Sequence, residues 1–223
     1  MKRNQALALA LALPLTGWFS SASAQPIPAS AVACHFVIRG YLNIGDNGQG
    51  VAEVAGYITD TPGISDSLFN GPPSENTAFL TFRSDLVTLT PLQPNGVVNL
   101  EAASPGTFNI YFNPSPNGDW SDPNTFSGGQ AFPGQPVAHF MRRQSLFYQT
   151  DTQSRHDVTE TLEDSKPFVL SGHKYNLKNI VPGGFTLYET YSNTPVAGIT
   201  GFPIVLPGAG NCAAVAAEGE DQQ

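Results

Sequence analysis

Four separate stretches of this chain alternate apolar and polar residues with a period of two. In 77–83, Ala78, Leu80 and Phe82 stand opposite Thr77, Phe79, Thr81 and Arg83. In 107–112, Phe108, Ile110 and Phe112 oppose Thr107, Asn109 and Tyr111. In 51–59, Val54 and Ile58 share one face while Glu53, Tyr57 and Thr59 share the other. In 185–191, Glu189 shares its face with Phe185, Leu187 and Tyr191. A period of two places alternate side chains on opposite faces of a strand, and one apolar face signals antiparallel sheet lying on a core.

Turn chemistry separates these stretches. Asn47-Gly48 is a hairpin signal, Gln93-Pro94-Asn95-Gly96 another, and the chain holds 22 Gly and 19 Pro. Further strands are expected over 31–42, 86–92, 97–102, 136–150, 156–164, 168–171, 174–181 and 199–206. One helical turn is expected at 65–69. The reading is an all-β domain of about ten to twelve strands, arranged as a single antiparallel β-barrel, with a two-sheet β-sandwich as the alternative. A barrel leaves no unpaired edges.

The only two cysteines, Cys34 and Cys212, flank nearly all of this pattern. A disulfide between them would make the first and last strands neighbours, which favours the barrel. A loop this long stabilises a fold by about 5 kcal/mol in the chain-entropy account. Oxidation is also what the N-terminus implies. Lys2 and Arg3 precede a short Ala/Leu run over 6–13, and Ala22-Ser23-Ala24 has the small-x-small form of a signal-peptidase site. The run is shorter than the roughly 20 apolar residues that span a bilayer. Residues 1–24 therefore read as a signal peptide, 25–212 as one β domain, and 213–223 as a disordered acidic tail. The protein is expected to be secreted or periplasmic, with no membrane insertion after cleavage.

Cleavage takes two of the ten basic residues and none of the 18 acidic ones, moving the net charge from −8 to about −10. So acidic a surface lacks the basic face that nucleic acid requires. The G-x-S-x-G elbow, H-E-x-x-H and the P-loop are all missing from the sequence, and there is no C-x-x-C. No cofactor is expected. His139, His156 and His173 are evenly spaced but lack the H-x-H pairing that puts two imidazoles on one strand face, so no metal site is expected either.

The stretch 113–135 is long for an idle loop and carries three aromatic residues, Trp120, Phe126 and Phe132. These are the candidate ligand-binding residues. Within it Gly118-Asp119-Trp120 resembles the G-x-W motif of lipocalins, although that motif lies near the first strand of the family and here falls mid-chain. Asn117, Asp119 and Ser121 resemble the start of an EF-hand loop without its glycine and terminal glutamate, and read instead as a capped turn.

The expectation for function is an exported, non-catalytic barrel that binds a small, partly apolar molecule. An alternative is a barrel enzyme of the isomerase or cyclase kind, using a carboxylate, a tyrosine and an arginine. Glu53, Tyr57 and Arg143 are its candidates, and of the Arg142-Arg143 pair one side chain must point inward. A third reading is an envelope or matrix protein acting through its surface, without a pocket.

Overall fold

The computed structural model describes residues 25–45, 50–89, 93–96, 98–101, 105–128 and 134–217. The proposed leader, Asn47-Gly48 of the first turn, Phe132 and residues 218–223 lie outside the described residues. The strands are β1 (Val32–Ile44), β2 (Gly50–Asp60), β3 (Leu80–Ser84), β4 (Val87–Leu89), β5 (Gln93–Asn95), β6 (Val98–Glu101) and β7 (Thr107–Phe112). There follow β8 (Gln135–Gln149), β9 (Gln153–Ser165), β10 (Phe168–Leu170), β11 (His173–Tyr175), β12 (Phe185–Ser192) and β13 (Ile204–Ala214).

Eight of these close an antiparallel barrel in the order β1-β2-β3-β7-β8-β9-β12-β13, with β13 returning to β1. The closing pair is in register at the cysteines. Cys34 lies opposite Cys212 with their Cα atoms 5.1 Å apart, and the two form the disulfide. Short elements decorate the barrel: β4 extends β2, the β5–β6 hairpin pairs onto the far end of β8, and β10–β11 form a separate hairpin.

Side chains of one parity fill the interior. Phe36, Phe82, Phe108, Phe140 and Phe185 form a chain of ring contacts across its middle, with centroids 4.5–6.1 Å apart. Each ring removes apolar surface from water, at about 1.5–3 kcal/mol for a fully buried Phe. One end of the barrel is plugged by Phe168 and Tyr175 of the β10–β11 hairpin together with Leu177, Ile180 and Val181, all buried. The other end is filled differently, and it holds the candidate site.

Two expected strands differ from the structure. Residues 174–181 give only the short β11, because Asn176 caps a 3-10 turn at Leu177–Asn179 that tucks Leu177 into the core. The last strand starts at Ile204 rather than 199 and runs to Ala214, through Pro207 and two glycines that read as breakers. Pro207 is tolerated because it pairs with β1 alone, the β12 ladder ending at Gly208. Gly208 and Gly210 are needed for fit: a Cβ would stand 2.7 Å from the Tyr191 ring at the first and 2.6 Å from the Phe36 ring at the second. Residues 65–69 form no helical turn; Phe69 instead makes a bridge to Ala78.

Because the disulfide ties the seam of the barrel, Cys34→Ala/Cys212→Ala is expected to lower the unfolding free energy by about 2–5 kcal/mol. Urea denaturation of the variant beside the oxidised parent measures this directly.

Candidate functional site

Three neighbouring strands bring polar side chains into the end opposite the β10–β11 plug. Alternation along β9 points His156, Val158 and Glu160 inward, and along β12 it does the same for Phe185, Leu187, Glu189 and Tyr191. On β8 the alternation is interrupted. Arg142 lies opposite Glu160, yet Gln144 lies opposite Thr159 and Ser145 opposite Val158. This bulge lets Arg142 and Ser145, three positions apart, both face inward, where regular pleating would send them to opposite sides.

The result is a hydrogen-bonded chain across three strands. His156 Nδ1 lies 2.9 Å from Glu189 Oε2, and its Nε2 lies 2.5 Å from Ser145 Oγ. Tyr191 donates its hydroxyl to the same Glu189 oxygen at 2.8 Å. Glu189 and Tyr191 are buried and Ser145 is half-buried, so the serine is the end of the chain nearest solvent. Burial, with the adjacent Glu189 carboxylate adding to it, holds the Tyr191 phenol well above the usual tyrosine range. Tyr191 therefore remains a donor.

Beside this chain sit Arg142 and Glu160, both buried. Their closest approach, Arg142 Nε to Glu160 Oε1, is 3.5 Å, a charge contact with no hydrogen bond in it. Arg142 Nε and Nη1 and both Glu160 oxygens have no hydrogen-bond partner among the described residues. Burial pushes the Glu160 carboxyl up to about 8; Arg142 opposes that rise and Glu189 reinforces it. The ion pair and the raised value point in opposite directions. Burial dominates, because a 3.5 Å contact without a hydrogen bond cannot repay the desolvation of a carboxylate. Near neutral pH Glu160 is then mostly protonated, which weakens the one ion pair Arg142 makes among the described residues.

Arg142, His156 and Tyr191 border a cavity of about 40 Å³ whose other walls include Leu42, Val54, Leu89 and Leu206. The space suits a few waters or a small group of heavy atoms, with apolar sides and one cationic wall.

Of the sequence candidates, Glu53 is among the residues bordering this cavity, but its carboxylate is turned to the outer face, which it shares with Tyr57. Glu53 accepts from Arg83 through Nε at 2.9 Å and Nη2 at 2.7 Å, while Tyr57 packs on Phe69 and Trp120. Arg143 is exposed on a different stretch of wall and pairs with Glu163. The structure brings none of the three together. A carboxylate, a tyrosine and an arginine do meet inside the barrel, but they are Glu189, Tyr191 and Arg142. Periodicity put Glu189 and Tyr191 on one apolar face, which was the available signal; nothing in the sequence marked Ser145 or the bulge.

The long loop lies against the outside of the barrel. Trp120 stacks on Phe126 at 4.6 Å, Arg39 sits 4.6 Å over the Trp120 ring, and Tyr41 donates to the Trp120 carbonyl at 3.2 Å. Phe126 is fully buried. Asp119 accepts from both the amide and the hydroxyl of Ser121 and Asp122 caps a 3-10 turn, so these oxygens serve the turn itself. A polar groove of about 310 Å³ lies beside this loop, lined by Glu53, Arg83, Asp85, Asn109 and Tyr111 among others. The evenly spaced histidines stay apart: His139 faces Asn109, His156 is interior, and His173 pairs with Asp66.

No protein-family model, curated protein or solved structure matches this chain.

Glu160 makes stability depend on pH with a definite sign. Its carboxyl moves from 4.5 to about 8 on folding, so between those values the folded chain holds the extra proton. The stability of the parent therefore carries a loss that grows as pH rises through this window and levels off above it. The midpoint of Glu160→Gln, measured against the parent by thermal denaturation, is expected to gain steadily from pH 5 to pH 8. A constant difference across that range would exclude a raised Glu160.

Proposed function

We propose that this protein is exported and binds a small, partly apolar molecule bearing a carboxylate or similar acceptor group, inside the end of the barrel opposite the β10–β11 plug. The observation that carries this reading is the buried Arg142, which borders a mainly apolar cavity and whose Nε and Nη1 lack hydrogen-bond partners among the described residues. A buried guanidinium with unmade hydrogen bonds costs free energy, and a ligand oxygen between those donors recovers it. A mostly protonated Glu160 competes less for the guanidinium, which favours an anion there, and the Leu and Val walls suit a short aliphatic portion.

Export is supported by the leader-like residues 1–24 and by the disulfide, which oxidising compartments favour. The outward-facing residues of β9 include Arg155, Asp157 and Glu163, a polar wall suited to water rather than to lipid. No helix among the described residues is long and apolar enough to cross a membrane.

Propionate and propylamine, titrated in parallel by ligand-observed NMR, test the reading. Propionate is expected to bind and propylamine to bind at least tenfold more weakly. Arg142→Met should remove propionate binding, whereas Trp120→Ala, on the outer wall, should leave it within about twofold. Propionate affinity should also fall as pH passes about 8 and Glu160 ionises. Equal binding of the two probes, or an unaffected Arg142→Met, would remove the basis for an interior anion site. The denatured mass of the exported protein should start at Gln25 and be lighter by the two hydrogens lost to the disulfide.

A further inference from the structure

We infer that Ser145, His156 and Glu189 form a nucleophile–base–carboxylate relay that hydrolyses esters of small, acetyl-sized acyl groups at the mouth of the barrel cavity. This inference rests on the proposal that the interior is a small-molecule site.

The direction of the relay follows from its partners. Glu189 Oε2 accepts from Tyr191 and faces His156 Nδ1, and an ionised carboxylate can only accept. Nδ1 therefore carries the hydrogen, which leaves Nε2 of the neutral ring as the acceptor for the Ser145 hydroxyl 2.5 Å away. That is the arrangement in which a serine hydroxyl becomes a usable nucleophile. Such a relay is recognised by geometry and roles, not by order in the chain. A β-bulge supplies here what the missing G-x-S-x-G elbow supplies elsewhere, turning the serine to the inner face beside His156.

Exposure runs the right way for chemistry. Glu189 is 1% exposed, His156 9%, and Ser145 is half-buried, so the polar chain opens to solvent at its nucleophilic end. The same inner face of β8 presents the buried Arg142 guanidinium, whose charge favours an oxygen on which negative charge develops. The cavity bordered by His156 and Arg142, about 40 Å³, takes an acetyl group more readily than a long acyl chain.

In the first half-reaction Ser145 Oγ bonds to the acyl carbon and its proton passes to His156 Nε2. The ester C–O bond then breaks and the leaving alkoxide takes that proton, departing as the alcohol. Water attacks the acyl-serine, gives one proton through His156 to the Ser145 oxygen, and releases the carboxylic acid. The sum is ester plus water giving acid plus alcohol, with no oxidant or further reactant. Ser145 and His156 are the catalytic residues; Glu189 and Tyr191 are positioning residues, acting through the imidazole.

The test uses the whole oxidised protein, a small alkyl fluorophosphonate and p-nitrophenyl acetate. The expected result is one phosphonyl adduct, mapped by peptide mass spectrometry to Ser145, and acetate ester hydrolysis at least tenfold faster than for the octanoate ester. Ser145→Ala should lose both adduct and hydrolysis. Glu189→Gln should slow hydrolysis by about 10²–10⁴-fold with a shifted pH profile, a readout that lost packing alone would not produce. Labelling of the parent protein does not depend on how any variant folds. No adduct at Ser145, or an adduct elsewhere, overturns the inference. If propionate still binds in that case, the interior site stands without chemistry; if propionate also fails to bind, both readings fall.

Discussion

The pairing of the first strand with the last is the constraint on which this molecule depends. A sheet of eight strands has two edges, and each exposes unpaired N–H and C=O groups until something covers it. Here β1 and β13 cover each other over most of their length, and Cys34–Cys212 locks them in register. Closure creates the interior, and the interior sets the terms for every inward residue. Rings on one strand need glycines opposite them on the next, as Phe36 over Gly210 and Tyr191 over Gly208 show.

That interior is divided. Its middle and one end are packed with Phe, Leu and Ile, while the other end holds Arg142, His156, Glu160, Glu189 and Tyr191. A domain selected for stability alone would continue the apolar packing, since buried charges with unmade hydrogen bonds are destabilising. Inside the barrel the cost is concentrated at Arg142 and Glu160, which have unsatisfied atoms; on the outer face the buried Glu53 Oε1 lacks a partner too. It is smaller along Ser145–His156–Glu189–Tyr191, where neighbours meet within hydrogen-bond distance. Free energy spent in one small region, beside a cavity, is the pattern expected of a site rather than of a scaffold.

The outer wall follows the opposite logic. The long loop places Trp120 and Phe126 over Tyr57, Ala55 and Tyr41, a second apolar cluster on the face of the sheet turned away from the barrel. Arg83, held by Glu53 on β2 and Asn124 in the loop, ties the loop to the strands beneath it. Aromatic residues in a structureless stretch signal that it is ordered, and here that order comes from packing on the wall. The same residues thus remain far from the barrel's own cavity, which they do not line.

The amino-acid sequence by itself determined the all-β class, most strand positions and the pairing of two cysteines, because period-two alternation and oxidation chemistry are local or nearly so. It also put Glu189 and Tyr191 on one apolar face. Only the tertiary structure decided which face of each strand became the interior: Glu53–Tyr57 and Glu189–Tyr191 look alike in sequence, yet one pair is outside and the other inside. It alone chose Arg142 over Arg143, and through a bulge it turned Ser145 inward beside His156. These outcomes depend on barrel closure and on register between strands far apart in the chain. Alternation along a single strand fixes which residues share a face, but not which of the two faces meets the core.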